Sequence, residues 1–394
     1  MLASRRSSVA LAAGRGMRHG ETAVGPKQSI IAEARRLGFD AVATARADLP
    51  LDDDFARYES FVEQGMHGGM DWLARAREAR RRLDGNEILL GAKSVICLAR
   101  KYGRSAEQED QDPELARSIA RYARGRDYHN GVRKKLRTLA KYVRKFGTDA
   151  EPVHARPLCD QEPVLERAWA ARAGLGFVGK NGLLIVPGVG SLVLLGEVVT
   201  TLALEPDSPI PERCGACTRC LDACPTGAFV EAFVLDPRRC VAYLTIESRD
   251  AIPEALREGV GTHLFGCDDC QTVCPFNARA RAPAISGRVT TPVDTRFEAA
   301  PRWSEATFGA LLALDEAGFE ELRHGTPVAR ATRIGLARNA AVVMGNRGDP
   351  ADLAVLARAR DGHDAAIVRE AAGWAVARVE AITAGSRPRR SGSS

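Results

Sequence analysis

The chain reads CGACTRCLDACP at residues 214–225 and CDDCQTVCP at residues 267–275, with one further cysteine, Cys240, between these two segments. Together they hold eight of the ten cysteines. Each segment has the spacing of bacterial ferredoxins, in which three closely spaced thiolates hold one [4Fe–4S] cluster and the cysteine before the proline ligates the other. The spacing therefore predicts two clusters and a protein that moves electrons.

The same ferredoxin rule distributes the cysteines between the two clusters. It assigns the first cluster to Cys214, Cys217, Cys220 and Cys274, and the second to Cys224, Cys240, Cys267 and Cys270. Disulfide bonds are a poor alternative because the chain is far longer than disulfide scaffolds usually are. Zinc sites favour two CxxC pairs, which fits this pattern poorly. Cys97 lies in an apolar run and is expected to be a small buried hydrophobic residue.

Length and composition indicate an ordinary folded protein with a net positive charge. The 394 residues can form two or three domains, and 45% of them are hydrophobic. The net charge of +6 favours a polyanionic partner without proving one. The start SRRSSVAL, residues 4–11, looks like a twin-arginine signal, but its apolar run ends at Ala13, which is too early. We therefore expect a cytoplasmic protein whose residues 1–26 form a disordered extension.

Hydrophobic periodicity predicts a mixture of helices and strands before the cysteines. A helix and then a strand are expected over 27–47, helices over 54–83, a buried strand over 93–99, and helices over 113–146. A helix over 162–173 is followed by two strands, 182–186 and 191–204, joined by a Pro-Gly turn. Three further helices follow residue 327, and two segments within them, 338–346 and 369–377, look like offset copies of one helix. Such a pair suits a short HEAT-type repeat.

These patterns predict an α+β multidomain protein, in which an α/β domain precedes a ferredoxin-like double-cluster domain and HEAT-like helical repeats. The expected boundaries are 1–26 for the extension, 27–206 for the α/β domain, 207–285 for the cluster domain, 286–325 for a connecting segment, 326–383 for the HEAT-like repeats, and 384–394 for a disordered tail.

A basic stretch lies within the first domain. Residues 115–145 carry many lysines and arginines with interleaved tyrosines, which is typical of a nucleic-acid surface and also of a solvated helix face. No GxGxxG motif follows a strand, so a Rossmann nucleotide site is unsupported. The DYHNGV segment, residues 127–132, narrowly misses the DxHxxG signature of His-on cobalamin proteins because Val132 replaces the required glycine.

Several segments beyond the cysteines resemble the epoxyqueuosine reductases over residues 27–383. They are RYARGRDYH at 121–129, DQEPVLERA at 160–168, AGLGFVGKN at 173–181, and Gly190-Ser191 followed by Gly196-Glu197. The resemblance implies an enzyme related to reductive dehalogenases, with base-off cobalamin in the first domain. It implies reduction of the epoxide of epoxyqueuosine at the tRNA wobble position to queuosine, using electrons from an external low-potential donor.

The resemblance also implies roles for individual residues. Asp160 matches the family's proton donor, and the alternative from the residues alone is a helix N-cap before the 162–173 helix. Glu162 is expected to raise the pKa of Asp160 as a like charge, and partial burial is expected to help keep Asp160 protonated. Arg167 is expected to face the substrate, with a surface salt bridge to Glu162 or Glu166 as its alternative. Residues expected to contact tRNA are Tyr128, His129, Lys134, Lys135 and Arg167, and residues expected to contact cobalamin are Arg82, Asp160, Leu184, Leu195, Val198, Ala242, Cys267 and Asp268.

Two other functions fit part of the sequence. A reductive dehalogenase would share the corrinoid and the clusters, but it predicts a working export signal and no need for a basic surface. A non-catalytic electron carrier would need neither the first domain nor a bound corrinoid. The leading expectation is therefore a monomeric tRNA-modifying reductase with no membrane association.

Overall fold

The computed structural model describes residues 25–281 and 294–385 of the chain. The predicted extension over 1–26 and the predicted tail over 384–394 therefore lie almost entirely outside the described residues, as does the first part of the predicted connecting segment. Within the described ranges, no helix is both long enough and apolar enough to cross a membrane.

The described residues form short strands and many helices. The strands are β1 (Ala41–Arg46), β2 (Ser94–Lys101), β3 (Ala155–Leu158), β4 (Phe177–Val178), β5 (Leu184–Ile185), β6 (Val193–Thr200), β7 (Phe229–Glu231) and β8 (Val234–Leu235). The helices of the first half are α1 (Pro26–Arg36), α2 (Asp52–Glu63), α3 (Arg77–Arg81), α4 (Ala106–Asp110), α5 (Glu114–Arg117), α6 (Tyr128–Arg144) and α7 (Glu166–Arg172). Those of the second half are α8 (Arg219–Asp222), α9 (Glu254–Val260), α10 (Asp269–Thr272), α11 (Pro275–Arg281), α12 (Arg302–Glu305), α13 (Phe308–Leu312), α14 (Glu316–Arg323), α15 (Thr332–Arg347), α16 (Leu353–Gly362) and α17 (Ala366–Gly385).

Single helical turns connect these elements. The 3₁₀ turns are Asp71–Ala74, Arg121–Ala123, Pro237–Arg239, Thr295–Phe297, Pro327–Ala331 and Pro350–Asp352, and one π turn spans Tyr243–Glu247.

A four-stranded sheet with the order β1-β2-β6-β3 lies at the centre of the first half, and every neighbouring pair of its strands is antiparallel. Side chains alternate between the two faces of a strand, so each face can form its own core. On one face, α1 and α6 pack against Ile96 and Leu98. On the other face, α7 packs against Cys97 and Val199. Cys97 is fully buried, as the sequence predicted.

The strand β3 was not expected from the sequence because it contains Pro157, which lacks a backbone N–H donor. The structure explains the proline, since β3 pairs only with β6 and forms an edge of the sheet. The two strands predicted over 182–186 and 191–204 are present as β5 and β6, with a turn between them, but they do not pair with each other. Instead, β5 pairs with β4, and β6 pairs with β2 and β3.

Two helical predictions also need correction. The sequence predicts helices over 54–83 with a break at the glycine-rich residues 65–69, and α2 ends at Glu63, just before this break. Beyond it, only a single 3₁₀ turn and the five-residue α3 follow. The helix expected over 162–173 begins only at Glu166, so a loop separates it from β3. This loop carries Asp160.

The helices after residue 300 share one hydrophobic core with the region of the second cysteine segment. Trp303 and Leu312, from the stretch that the sequence left without elements, pack in the same cluster as Phe265 and Leu336. Within it α15 and α17 approach closely, because a Cβ added at Gly345 would lie 2.9 Å from the Cβ of Ala375. These C-terminal helices are therefore continuous in packing with the segment that leads into Cys267.

Candidate active site

Asp160 lies at an open position just beyond β3. Its φ of 60° is in the left-handed region, which is uncommon for a residue other than glycine. Its side chain is 52% exposed, so the carboxylate can be reached from solvent. Asp160 is not the N-cap of α7, because Leu165 occupies that position and no side-chain bond caps the helix. The N-cap alternative is therefore wrong.

The start of α6 brings two aromatic side chains to this carboxylate. The Tyr128 hydroxyl donates to Asp160 Oδ2 over 2.9 Å, and His129 Nε2 lies 2.9 Å from the same oxygen. The two rings stack with centroids 4.1 Å apart. On its other side, His129 Nδ1 lies 2.7 Å from Asp127 Oδ1, and Asp127 also caps α6. The DYH segment thus forms a chain of carboxylate, imidazole and carboxylate that ends at Asp160.

This arrangement fixes where the proton resides. The hydrogen bond from His129 lowers the pKa of Asp160 and outweighs the effect of its burial, and the Tyr128 hydrogen bond lowers it further. Burial alone would lower the pKa of His129, but the hydrogen bonds to Asp127 and Asp160 raise it to about 9. The expectation that burial and Glu162 keep Asp160 protonated is therefore wrong. At neutral pH the site holds a carboxylate on Asp160 and a proton on His129.

Two further acids lie behind Asp160. The Asp160 backbone N–H donates to Glu166 Oε1 over 2.8 Å, and burial together with the Asp160 charge raises the pKa of Glu166 to about 7. Glu162 points back to the chain, where it accepts a hydrogen bond from the Cys159 N–H over 2.9 Å. Neither glutamate forms the predicted salt bridge with Arg167, whose guanidinium donates to the Gly182 carbonyl.

The predicted tRNA contacts on α6 divide into two kinds. Lys134 is exposed, whereas Lys135 is partly buried and donates to the carbonyl of Leu37 at the end of α1. The apolar face of α6, which includes Leu136 and Leu139, is buried against the sheet. Lys134 is thus free to meet a ligand at the surface, while Lys135 joins two helices.

The predicted cobalamin contacts lie on several different elements, and two of the charged ones already have partners within the protein. Arg82 forms a two-bond ion pair with Asp84, and Asp268 accepts hydrogen bonds from Arg121 and Gln271. Leu184 and Leu195 belong to the core on the α7 side of the sheet. Ala242 packs at the edge of the core shared with the C-terminal helices.

Val198 differs from Leu195, because it is fully buried in the core on the opposite face of the sheet. The side chains of Val198 and Leu195 therefore cannot line one site together. Between them, Glu197 is fully buried, and neither of its carboxylate oxygens has a hydrogen-bond partner among the described residues. An unpartnered buried carboxyl fits a ligand rich in amide donors, such as the side chains of a corrinoid.

The cysteines of the first predicted cluster surround one cavity of about 240 Å³. Cys214, Cys217, Cys220 and Cys274 all line it. Asn181 also lines it, and its buried Nδ2 has no hydrogen-bond partner among the described residues. Cluster sulfur accepts hydrogen bonds from such amides, so four thiols and an orphaned donor fit a [4Fe–4S] cluster.

The cysteines of the second predicted cluster are neighbours as well. The pKa of Cys270 is raised to about 12, chiefly by burial and then by the nearby charge of Cys240. The charge of Cys224 raises the pKa of both Cys240 and Cys270. Cys267 lies next to His263, with Sγ and Nε2 3.8 Å apart. The charge of Cys220, from the first group, raises the pKa of Cys270 as well, so the two groups of cysteines are neighbours. The assignment of Cys224, Cys240, Cys267 and Cys270 to one cluster stays a prediction of the spacing.

Aromatic contacts link Asp160 to the second group of cysteines. The ring of Tyr122 lies 5.9 Å from that of Tyr128 and 6.4 Å from that of Phe265, which precedes Cys267 by two residues. The sequence did not single out Arg330, which faces Asp160 from the C-terminal half and lowers its pKa slightly. Arg330 also pairs with Glu247 over 3.0 Å. A lone arginine in a helical stretch has no signal that would reveal this placement.

Comparisons with known proteins agree with this arrangement. A family model described as "4Fe-4S double cluster binding domain" matches residues 213–277, and one described as "Epoxyqueuosine reductase QueG, DUF1730" matches residues 82–161. The epoxyqueuosine reductase of Xanthomonas campestris is 39% identical over 347 residues, which are 87% of this chain and 93% of that protein. That of Gloeobacter violaceus is 44% identical over 322 residues, 81% of this chain and 96% of that protein.

Solved structures agree as well. A crystal structure of epoxyqueuosine reductase with an epoxyqueuosine-modified tRNA-Tyr stem loop superposes with a TM-score of 0.77 at 30% identity and covers 90% of each chain. The enzyme from Streptococcus thermophilus gives a TM-score of 0.75 at 28% identity, covering 92% of this chain and 91% of that one. On these grounds, the chain belongs to the epoxyqueuosine reductase family.

Proposed function

We propose that this protein reduces the epoxide of epoxyqueuosine in tRNA to the cyclopentene of queuosine, with Asp160 as the proton donor. The observation that carries the proposal is the Asp127–His129–Asp160 chain, which is connected through Tyr128 and Tyr122 to the second group of cysteines. Loss of the epoxide oxygen as water consumes two electrons and two protons. The site holds one of these protons beside an electron path, and the exposed Asp160 carboxylate can take up the second from solvent.

Proton delivery can be followed atom by atom. In the resting site, the proton resides on His129 Nε2, 2.9 Å from Asp160 Oδ2. When charge develops on the epoxide oxygen, Asp160 passes this proton on, and Asp127 stabilises the imidazolium until then. Positioned general acids of this kind typically contribute about 10²–10⁴-fold to a rate. The open, half-exposed position of Asp160 suits a substrate as large as tRNA.

Electrons enter through the two groups of cysteines, each of which would hold one [4Fe–4S] cluster. Cobalamin, which the family resemblance implies, would supply redox chemistry at cobalt when bound. Residues proposed to hold it are Arg82, Asp160, Leu184, Leu195, Ala242, Cys267 and Asp268. Val198 is excluded from this set, because it is fully buried on the opposite face of the sheet. The orphaned carboxyl of Glu197 supports this placement because corrin side chains end in amides.

On the substrate side, Tyr128, His129 and the exposed Lys134 are proposed to meet the tRNA, and Arg167 borders the same opening. We propose the domain boundaries given above, with α15–α17 as a HEAT-like unit. The cytoplasmic location, the monomeric state and the external low-potential donor stay predictions of the sequence.

Anaerobic turnover tests the proposal directly. The clusters would be reconstituted, cobalamin and a low-potential reductant added, and tRNA carrying epoxyqueuosine supplied. Mass spectrometry of the digested nucleosides is expected to show loss of one oxygen only when cobalamin is present. Conversion without cobalamin would refute the proposal that cobalamin is the cofactor. If intact clusters and bound cobalamin give no conversion, the substrate would instead be sought among small molecules, such as halogenated compounds. If the protein binds no corrinoid, the function that remains is that of a non-catalytic electron carrier.

A further inference from the structure

The cavity of the first cluster opens at a surface that the proposed reaction does not use. Arg213 and Arg219 line this cavity together with Lys180, and none of the described residues that line it is acidic. Both arginines are exposed, and neither side chain has a partner among the described residues. The Lys180 ammonium donates to the Gly215 carbonyl over 2.5 Å, which holds its charge at the rim.

An exposed apolar hairpin adjoins this rim. The strands β7 and β8 form it, and its Val230 and Phe233 are 65% and 47% exposed. Phe233 has a φ of 72°, in the left-handed region, and its backbone N–H donates to the Lys180 carbonyl over 2.9 Å. The hairpin is thereby fixed to the residue that also contacts the cluster loop. Apolar residues beside a charged rim are the usual composition of a protein–protein interface.

We propose that this surface, made of Lys180, Arg213, Arg219, Val230 and Phe233, is the docking site of a small acidic protein that carries single electrons. The proposal rests on the assignment of the first cluster and not on the identity of the substrate. Each encounter oxidises one carrier and reduces the first cluster by one electron. Two encounters therefore supply the two electrons that one epoxide consumes.

The chemistry of the donor follows from the clusters and the charges. A [4Fe–4S] cluster accepts one electron at a time. The GxGxxG pattern at Gly174–Gly179 follows α7 and not a strand, so it lacks the context of a site for a two-electron hydride donor. Three cations around the opening favour an acidic partner, and complementary charge speeds encounter. Reduction through this opening places the carrier next to the cluster ligands.

Nucleic acid is a poorer occupant of this surface. Three acidic residues, Glu212, Asp222 and Glu231, lie among the basic ones, so the surface is not the continuous positive groove that a phosphate backbone follows. Glu212 faces the backbone of Cys214, and Asp222 accepts from Thr218 over 2.8 Å, so they leave the arginines unpaired. Exposed valine and phenylalanine side chains suit a protein partner of mixed polarity better than a phosphate backbone.

Stopped-flow reduction of the reconstituted holoenzyme, without tRNA, tests the proposal. A prereduced acidic ferredoxin is the donor, and bleaching of the cluster absorbance is the signal. For the wild type, the second-order rate is expected to fall as salt rises. In R213E and R213E/R219E it is expected to fall about 10-fold or more at low salt, with a flatter salt dependence, because steering contributes roughly 10–10³-fold. Reduction by dithionite, a small reductant, should be unchanged.

Matched variants keep the test decisive. R358E changes a charge on exposed α16, away from the cluster cavity, and should leave the rate unchanged. If R219E loses its cluster, R213E and F233S still test the surface, since both lie outside the segment between the first ligands. Wild-type rates and salt dependence in R213E and F233S would overturn the proposal. Weaker tRNA binding with unchanged reduction would instead identify a nucleic-acid surface. None of these results depends on whether epoxyqueuosine is the substrate.

Discussion

At the scale of single residues, Asp160 combines exposure with a strongly engaged carboxylate. The change D160N keeps its shape but removes the acid, so turnover is expected to fall by about 10²–10⁴-fold while the cluster absorbance stays. Product formation on modified tRNA measures the effect. E162Q is a suitable control because the Glu162 side chain accepts a hydrogen bond from the Cys159 backbone and forms none with Asp160. Full activity in D160N would refute the role of Asp160 as proton donor.

The ion pair between His129 and Asp160 predicts a pH-dependent contribution to stability. The pKa of His129 is raised to about 9 in the fold, so its contribution is complete below about pH 6.5 and is lost as pH rises through 9. We expect H129N to lose about 1–2 kcal/mol near pH 6, allowing for the solvent exposure of Asp160. The difference in unfolding temperature between wild type and H129N should shrink above pH 9. An equal difference at both pH values would contradict the ion pair.

Asn181 predicts a shift in the potential of the first cluster. Its unpartnered amide lines the cluster cavity, and a hydrogen bond to sulfur stabilises the more negative, reduced state. The variant N181L should therefore lower the reduction potential of the first cluster and leave the second unchanged. A redox titration followed by electron paramagnetic resonance separates the two. An unchanged potential for both clusters would show that the amide does not reach the sulfur.

At the scale of elements, α6 separates two lysines that the sequence could not distinguish. Lys134 is exposed, so K134A should weaken tRNA binding and reduce its salt dependence by roughly 0.7–0.9 in log–log slope, as expected for one lost phosphate contact. K135A should instead lower stability, because Lys135 joins α6 to the end of α1. Binding measured across a salt series, with R358A as the control, tests both. If the salt dependence of tRNA binding has the same slope in K134A and wild type, this helix face is only solvent-exposed and does not bind tRNA.

Elements with strong periodicity could be predicted, and those set by tertiary contacts could not. The buried strand β2 and the helix α6 follow from their apolar patterns. The strand β3 was not predicted from the sequence. A proline is compatible with a strand only at the edge of a sheet, and the position of β3 at an edge is known only from the whole sheet. The late start of α7 reflects the non-helical backbone of its N-cap Leu165, with φ of −82° and ψ of 69°. The cysteine groups were predictable from spacing alone, whereas the His129–Asp160 contact joins two distant segments.

At the scale of the whole molecule, the C-terminal helices are part of the structure that presents the second cluster. Asn339, fully buried on α15, donates from Nδ2 to the carbonyls of Thr245 and Leu264 over 2.7 and 2.9 Å. Neighbouring Arg338 donates to the carbonyls of Leu244 and Ser248. These carbonyls belong to the segments just after Cys240 and just before Cys267.

The variant N339L therefore tests whether the C-terminal helices hold the second cluster in place. It removes the two hydrogen bonds while keeping an apolar volume of similar size, and the buried carbonyls left without donors should cost about 1–3 kcal/mol each. Because Cys240 and Cys267 are proposed ligands of the second cluster alone, we expect N339L to retain less of that cluster and to keep the first. Iron content and electron paramagnetic resonance after reconstitution measure this loss. I382A, at a partly exposed position on α17, serves as the control. If N339L kept both clusters and lost only thermal stability, the C-terminal helices would act as a buttress for the fold and not as a support for the cluster.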